Sequence, residues 1–332
     1  MLRVAVIGAT GYGGSELVRL LEAHPCAKVT TVTSSRSAGK LLREECPWLA
    51  SDLVLTSFKP EEIEADIVFL AQESGFAMQQ VPNLAGKIID LSADYRLRDP
   101  SIFASYYGKP HCDLDGLTKA VYGLPELVPV EEIAAAKVIA NPGCYPTTTL
   151  LGLMPLFNAN LVGGTPVVDA KSGVSGAGRA RTETDYLFTE ITGGFRAYSP
   201  IGHRHTPEIE QMTGRPIRFT PHLIPAARGI HVTSHVPLNR SISRAELTDL
   251  YRTTYDGRAF VAIQDGLPST KQVQGSNRCI IRVDFDDRTQ MAVIISVTDN
   301  LVKGAAGQAI QNMNIMCGLP EAIGLPMSGI WP

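Results

Sequence analysis

Short apolar runs alternate with stretches of helical periodicity through the first half of this 332-residue chain. The runs that are typical of buried strands are residues 4–7, 29–32, 67–70, 88–91 and 138–140. Between the first two, Leu17, Leu20 and Leu21 recur at helical spacing, and Pro25 ends that pattern. Continuous apolar strands separated by helices are typical of parallel sheets that carry helices on both faces. The pattern therefore predicts a doubly wound α/β domain.

The second half of the chain follows a different pattern. Residues 279–285 and 291–297 are apolar runs separated by the polar segment 286–290, which is typical of a hairpin. The second sheet should therefore contain antiparallel strands. Helical periodicity returns at residues 304–316 and ends near Gly318. We expect residues 1–144 with 301–332 to form one domain, and residues 145–300 to form a second, α+β domain.

The charge and hydrophobic content of the chain limit the kinds of molecule that it is expected to bind. The chain is 44% hydrophobic and 19% charged with a formal net charge of −3, and neither sign of charge forms a long run. This balance argues against nucleic acid or a membrane surface as the partner. No stretch approaches the roughly 20 apolar residues of a membrane-spanning helix. The six cysteines form no Cys-x-x-Cys pair, as expected of a reduced, cytoplasmic protein.

The first predicted strand runs directly into a glycine-rich loop, residues 8–14. Glycines at a strand–helix junction permit a tight turn and let main-chain N–H groups approach a pyrophosphate at the start of the helix. The glycine spacing departs from the common Gly-x-Gly-x-x-Gly, so the interpretation depends on the loop's position after the first strand. The residues expected to bind the cofactor here are Gly8, Thr10, Gly11, Tyr12, Gly13 and Gly14.

The end of the second predicted strand indicates which nicotinamide cofactor binds. An enzyme that uses NAD places an Asp or Glu there, on the ribose 2′-hydroxyl. This chain instead has Thr-Ser-Ser-Arg-Ser at positions 33–37. Hydroxyls and a guanidinium suit a 2′-phosphate, which a carboxylate would repel. We therefore predict NADP, bound through Ser34, Arg36 and Ser37.

Cys144 is the candidate nucleophile. It follows the apolar run 138–140 after a short turn, and Pro146 is well placed in the first turn of the next helix. The carboxyl end of a strand is where open α/β sheets bind ligands. The start of a helix stabilises a thiolate and offers N–H groups to an oxyanion. The other cysteines are interpreted as core residues.

Two histidines flank Arg204 and are candidates for acid–base catalysis. In an extended segment the His203 and His205 imidazoles would point to opposite sides, so only one would easily face Cys144. We favour His205 as the acid–base and His203 as a substrate contact or support, a choice that the sequence leaves open. A metal site at the two histidines would need a third ligand. His222 is available, but nothing else in the sequence points to such a site, so no metal is predicted.

A second glycine-rich segment, residues 171–181, has cations nearby and could hold either an acyl phosphate or the cofactor amide. Within it, Ser172 and Gly173 are assigned to the cofactor. Ala177 stands where the Gly-x-Ser-x-Gly elbow of serine hydrolases has its last glycine, which argues against that class. The candidates for binding the carboxylate or phosphate of a substrate are Arg96, Arg179 and Arg204.

Six segments carry a resemblance that covers essentially the whole chain. They are the glycine loop, Ser-Ala-Asp-Tyr-Arg at 92–96, Tyr-Gly-Leu-Pro-Glu at 122–126, Asn-Pro-Gly-Cys-Tyr-Pro at 141–146, Gly-His-Arg-His-Thr-Pro-Glu-Ile at 202–209 and Asp-Asn-Leu-Val-Lys-Gly-Ala-Ala-Gly-Gln at 299–308. Together they resemble the N-acetyl-gamma-glutamyl-phosphate reductase family of arginine biosynthesis. The resemblance implies a Rossmann domain, a second domain like that of glyceraldehyde-phosphate dehydrogenase, and NADP. It also implies that Cys144 is the nucleophile, that Asn300 lies beside the nicotinamide, and that the protein is a homodimer or homotetramer.

The expected reaction is the NADPH-dependent reduction of N-acetyl-glutamyl 5-phosphate to N-acetyl-glutamate 5-semialdehyde and phosphate, through a thioester on Cys144. The same catalytic residues would serve two alternatives. One is a lysine-pathway reductase acting on an aminoadipyl phosphate attached to a carrier protein, and the other is a relative of aspartate-semialdehyde dehydrogenase. A third alternative is a non-catalytic NADP sensor, against which the placement of Cys144 and the histidine pair argue.

Overall fold

The computed structural model describes residues 1–331, and Pro332, which the first predicted domain includes, lies outside them. The described chain divides into two compact units. The first consists of residues 1–143, 178–180 and 305–325, and the second of residues 144–177, 181–304 and 326–331. The predicted domains differ from these units at four places, which are Cys144 and residues 178–180, 301–304 and 326–331.

Strands and helices are numbered along the whole chain. The strands are β1 (Leu2–Ile7), β2 (Ala27–Thr33), β3 (Ile67–Leu70), β4 (Lys87–Asp90), β5 (Val121–Tyr122), β6 (Val138–Ala140), β7 (Val167–Gly173), β8 (Arg196–Ala197), β9 (Arg218–Ile224), β10 (Ile230–Pro237), β11 (Val261–Ile263), β12 (Cys279–Asp286) and β13 (Met291–Thr298). The α-helices are α1 (Tyr12–Glu22), α2 (Leu42–Glu45), α3 (Ala77–Gln80), α4 (Pro100–Tyr107), α5 (Leu114–Lys119), α6 (Val130–Ala135), α7 (Cys144–Asn158), α8 (Phe188–Ile191), α9 (Thr206–Thr213), α10 (Arg244–Thr254), α11 (Thr270–Val273) and α12 (Gly307–Met316). A π-helical turn, Val302–Ala306, precedes α12.

The first unit is built on a parallel sheet. Within residues 1–331 its strand order is β2-β1-β3-β4-β6-β5. All four residues of β3 are buried, which is why that strand is apolar at every position. The strand order reverses at β1, with β2 on one side and β3 on the other. The crevice beyond the carboxyl end of such a strand is where open α/β sheets bind ligands. The doubly wound fold is thereby confirmed.

The second unit is built on a mixed sheet. Within the described chain its strand order is β11-β12-β13-β10-β7-β9-β8. The predicted hairpin is confirmed, since β12 pairs antiparallel with β13 and Cys279 lies opposite Thr298. Along β10 buried and half-buried residues alternate, as expected of a strand with one covered face. Helix α7 packs against β10 and β13 and supplies much of that cover.

A tyrosine hydroxyl replaces the main-chain hydrogen bond that an internal proline removes from helix α7. Pro155 has no N–H to bond the carbonyl of Leu151, one turn earlier. The Tyr255 hydroxyl donates to that carbonyl at 2.5 Å, and the Tyr251 hydroxyl donates to the carbonyl of Gly152 at 2.5 Å. Both tyrosines belong to or directly follow α10, so α7 is held to α10 as well as to the sheet.

The end of the chain departs from the predicted domain. Helix α12 belongs to the first unit, where Asn312 donates to the carbonyl of Gly123 at 2.9 Å. Residues 326–331 return to the second unit, where the Ile330 N–H donates to the carbonyl of Gln274 at 2.7 Å. Long-range main-chain bonds of this kind leave no local signal in the sequence. No helix in residues 1–331 is both long and apolar enough to cross a membrane.

Candidate active site

The loop after β1 is a compact glycine turn that opens α1. Gly8 has φ +89°, and a Cβ there would lie 2.5 Å from the carbonyl oxygen of Ala71. A Cβ on Gly14 would lie 2.2 Å from the carbonyl oxygen of Gly8, so a larger residue fits at neither position. Helix α1 begins at Tyr12, and its first turn has no acidic side chain. The first N–H groups of α1 are therefore available to an anion, which fits the pyrophosphate of a dinucleotide.

The residues after β2 supply hydroxyls and one exposed cation. The buried Ser34 hydroxyl lies 3.3 Å from that of Thr10, within the glycine loop. Arg36 is exposed, and no hydrogen bond or ion pair engages it within residues 1–331. The Ser37 hydroxyl is hydrogen-bonded to the carboxylate of Glu45, and the Lys40 ammonium lies 2.7 Å from the same carboxylate. These two groups hold the pKa of Glu45 below its ordinary value. Arg36 is thus the cation of this loop that is available to a phosphate.

Arg179 lies beside the glycine loop. Its guanidinium donates to the carbonyl of Thr10 at 3.0 Å and to the carbonyl of Glu45 at 2.9 Å. The same group lies 5.1 Å from the centre of the Trp48 ring, a cation–π distance. Its positive charge is therefore held next to the predicted cofactor loop. The role in substrate binding assigned to Arg179 from the sequence stays a prediction.

Arg96 braces main-chain turns in the first unit. Its buried guanidinium donates to the carbonyls of Leu91 and Asn141, both at 2.7 Å. The first carbonyl follows β4, and the second follows β6 and lies three residues before Cys144 in the chain. These bonds stabilise the loops at the carboxyl ends of two neighbouring strands. A contact between Arg96 and a substrate stays a prediction.

Cys144 is the first residue of α7, as its sequence context predicts, and its side chain is half-buried. The helix start is anchored to the sheet of the second unit. The Thr148 hydroxyl donates to the carbonyl of Cys144 at 3.0 Å and lies 2.6 Å from the Thr298 hydroxyl. Ser296 donates to the carbonyl of Thr148 at 2.9 Å. A thiol held at a helix N-terminus is in a position that favours the thiolate.

The two histidines lie together on the residue that follows the cysteine. The ring of Tyr145 is 5.8 Å from that of His203 and 5.9 Å from that of His205, and the two imidazole centres are 5.1 Å apart. They are expected on opposite sides only in an extended segment, and the segment is not extended. Residues 203–205 form a turn, because His203 Nδ1 accepts the main-chain N–H of His205 at 3.1 Å. Both imidazoles therefore lie beside the first turn of α7, against Tyr145.

His203 is held in its neutral form. Burial, and secondly the charge of Arg204, lower the pKa of His203 to about 4. Because Nδ1 accepts the His205 N–H, the proton of the neutral ring is on Nε2. His203 is therefore a hydrogen-bond donor at neutral pH and is unsuited to carrying a proton back and forth.

Tyr145 and Tyr198 are parts of the site that the sequence analysis missed. The Tyr145 hydroxyl donates to the carbonyl of His222 at 2.9 Å, and the Tyr198 hydroxyl lies 3.4 Å from that of Tyr145. Burial raises the pKa of both phenols above their ordinary value, so both stay protonated. Tyr145, fixed by its hydroxyl, thus packs against both imidazoles and supports them. Its place directly after Cys144 was the only available signal.

Ser172, Gly173 and Asn300 are brought together in the second unit. Asn300 accepts the N–H of Gly229 at 2.7 Å and donates to the Ser175 hydroxyl at 2.9 Å. The Ser172 hydroxyl donates to the carbonyl of Gly173 at 2.9 Å. Asn300 therefore organises the second glycine-rich loop, whose contact with the cofactor stays a prediction. Among residues 1–331 no group of three or more His, Cys, Asp or Glu is arranged to hold a metal ion.

Family models match both units. Residues 3–136 match the semialdehyde dehydrogenase NAD binding domain, and residues 144–300 match the semialdehyde dehydrogenase dimerisation domain. Two N-acetyl-gamma-glutamyl-phosphate reductases, from Geotalea daltonii and Citrifermentans bemidjiense, are 49% and 48% identical to the chain, with all of both sequences covered.

A solved structure shares the fold at much lower identity. Aspartate semialdehyde dehydrogenase II from Vibrio cholerae, complexed with ASA, has a TM-score of 0.72 and 19% identity, covering 96% of this chain and 98% of that one. The two-domain fold and the resemblance found in the sequence are thus confirmed, and the chain is an oxidoreductase of the semialdehyde dehydrogenase type. With near-half identity to its relatives over its full length, the chain belongs to the N-acetyl-gamma-glutamyl-phosphate reductase family.

Proposed function

We propose that the chain reduces N-acetyl-glutamyl 5-phosphate to N-acetyl-glutamate 5-semialdehyde and phosphate, with NADPH as reductant and Cys144 as nucleophile. The observation that carries this proposal is the placement of the thiol at the first residue of α7, beside a tyrosine that supports two imidazoles. Nucleophile, acid–base and oxyanion donors are the groups that acyl transfer through a thioester requires.

The proposed reaction begins at the sulfur. His205 takes the thiol proton as Cys144 attacks the acyl carbonyl, and the C–O bond to phosphate breaks with transfer of that proton to the departing phosphate. When bound, NADPH supplies the hydride that reduces the resulting thioester. The N–H groups at the start of α7 and the Nε2–H of His203 stabilise the negative charge that develops on the former carbonyl oxygen of the substrate. Collapse breaks the C–S bond and releases the aldehyde, and the thiolate regains a proton from solvent through His205.

The residues of the first unit fit a phosphorylated dinucleotide. The glycine turn at 8–14 and the N-terminus of α1 would hold the pyrophosphate, and Ser34 and Arg36 would hold the 2′-phosphate. Arg179, fixed on the carbonyl of Thr10, adds positive charge at the same loop. NADP rather than NAD is therefore proposed.

Replacing Arg36 should change cofactor choice. We expect Arg36→Ala to weaken NADP by roughly 1.5–3 kcal/mol, the value typical of a hydrogen bond to a charged group, and to leave NAD almost unchanged. The measurement is a pair of dissociation constants for each variant by fluorescence titration. Arg43→Ala, which removes another exposed arginine of this unit, one that pairs with Asp52, is the control. Equal weakening of both cofactors would refute the assignment.

The substrate is tested by a panel run in the oxidative direction with phosphate and NADP. We expect N-acetyl-glutamate semialdehyde to be oxidised and both aspartate semialdehyde and free-amine glutamate semialdehyde to be far poorer. An acetylated amine is neutral, whereas a free ammonium would meet the charge of the exposed Arg204, which already depresses the His203 pKa. A difference of one methylene typically changes discrimination by only about 1–3 kcal/mol, so the acetyl group is the sharper test.

The decisive quantity is kcat/KM for the acetylated and the free-amine substrate on one enzyme preparation. If the free amine matches or exceeds the acetylated aldehyde, the assignment to N-acetyl-glutamyl phosphate fails. Oxidation of N-acetyl-glutamate semialdehyde that is not attached to any carrier protein would also distinguish this activity from that of a reductase that requires a carrier protein. A sensor without catalytic activity would bind NADP and oxidise none of the three aldehydes.

We infer that copies of the chain associate through the second unit, as a homodimer or homotetramer. The support is the match of residues 144–300 to a dimerisation domain. Light scattering in solution would give the number of copies.

A further inference from the structure

Gly304 lies directly against the nucleophile. It is in the π-helical turn that precedes α12, and it belongs to the second unit together with Cys144. A Cβ built on Gly304 would lie 2.8 Å from the Cβ of Cys144 and 3.2 Å from its Cα. Carbon atoms in favourable contact are about 3.5–4.0 Å apart, so any side chain at position 304 would overlap the cysteine. The backbone of Gly304 is not in the left-handed region, so space alone requires the glycine here.

The cysteine has little freedom to move away from such an overlap. The atoms that would collide are Cβ and Cα of the first residue of α7, so a shift would move the helix start and not a flexible side-chain end. That start is tied to β13 by the bond of Thr148 to the Cys144 carbonyl and by the contact of Thr148 with Thr298 at 2.6 Å. Sγ extends from the Cβ that a side chain at position 304 would meet, so the residue at this position affects where the sulfur lies.

The π-helical turn that contains Gly304 is also held in place, and the contacts that hold it are made by Asp299. The buried carboxylate accepts the N–H of Leu301 at 2.8 Å with one oxygen. Its other oxygen accepts the N–H of Gly275 at 2.7 Å and lies 3.3 Å from Arg228. The Gly304 N–H donates to the carbonyl of Asp299 at 2.9 Å, the wide spacing of a π-turn. Such turns often occur at functional sites.

We propose that Gly304, on the turn held by Asp299, is a positioning residue for Cys144. Its missing side chain lets the turn close onto the first residue of α7 and sets the position of Cβ, and so of the sulfur relative to the N–H groups of the helix. The proposal rests on the proposed function, in which Cys144 is the nucleophile, but the contact itself can be measured without turnover.

The first test compares Gly304→Ala with Gly194→Ala, a glycine of the same unit at which a Cβ would meet no atom within 4 Å. We expect Gly304→Ala to lower kcat by about a hundredfold, the loss typical of a reacting group displaced by ~1 Å. KM and the NADP dissociation constant should change little. The rate at which iodoacetamide alkylates Cys144, followed by mass spectrometry across pH, should change at least several-fold. Unchanged kcat and an unchanged alkylation profile would overturn the proposal.

The second test is a stability cycle that does not depend on activity. Gly304→Ala should lower Tm in the Cys144 protein and lower it much less in a Cys144→Gly background, which lacks the Cβ that the alanine would strike. Equal losses in the two backgrounds would overturn the proposal. If Gly304→Ala does not fold, folding of the double variant supports the contact and failure of both variants contradicts it. Should Cys144 prove dispensable for turnover, the alkylation and Tm results would still decide whether Gly304 positions it.

Discussion

Cys144→Ser is expected to abolish turnover while NADP binding stays within about twofold of the original enzyme. Deleting a covalent nucleophile typically lowers kcat a thousandfold or more. A helix N-terminus can lower the pKa of a thiol enough for thiolate to form near neutral pH, whereas a serine hydroxyl stays protonated there. Sγ and Oγ differ little in size, and Cys144 bonds to Thr148 through its main chain, so the fold of α7 should survive the change. The measurements are steady-state kcat and a cofactor titration on the same sample.

A matched control is Cys26→Ser, which changes another half-exposed cysteine outside the proposed site. It should leave both quantities unchanged. Incubating the original enzyme with acyl phosphate in the absence of NADPH should add the mass of the acyl group to Cys144, and the serine variant should show none. Activity of Cys144→Ser within tenfold of the original would sink the thioester mechanism.

His205→Asn should produce the second-largest loss, on the order of 10²–10⁴ in kcat, the range typical of a lost general acid–base. His203→Asn should cost far less, because His203 is neutral above a pKa of about 4 and serves as a donor. An asparagine at 203 can also accept the His205 N–H that Nδ1 now accepts at 3.1 Å, so the turn should persist. The contrast between the two variants therefore separates proton transfer from support.

The pH dependence provides an independent check of that contrast. The pKa of His203 is lowered, so its ring is already deprotonated throughout the range from pH 6 to 9 and cannot produce a step in kcat there. His203→Asn should consequently leave the shape of the pH profile intact, whereas His205→Asn should flatten it. The opposite pattern would exchange the two roles.

Several strands and the helix start at Cys144 were predictable because their signals are local. A buried parallel strand must be apolar throughout, so β3 and β6 were placed from sequence at the bounds the structure shows. Cys144 was placed at a helix start because Pro146 favours the first turn and an apolar strand ends just before it. The glycine turn was found in the same way, since a strand, a glycine loop and a helix follow one another within a few residues.

The arrangement around Cys144 was decided by contacts between residues far apart in the chain. His203 and His205 share one side because a single side-chain bond to the main chain turns the segment, which the extended pattern of alternation does not reveal. Arg179 donates to the carbonyl of Thr10, 169 positions away, whereas the sequence suggested only that it binds a substrate anion.

Gly304 illustrates the same division between sequence and tertiary structure. Its motif was noticed in the sequence, yet its proposed role was not. The reason for a glycine there is the Cβ of Cys144, 160 residues away in the chain, which a side chain at position 304 would overlap. Periodicity and turn chemistry report what one segment needs for itself. The sequence by itself therefore determined the strands of the parallel sheet other than β5, the hairpin of β12 and β13, the glycine turn and the cysteine at a helix start. Only the tertiary structure decided what lies against that cysteine, because close packing depends on which segments meet.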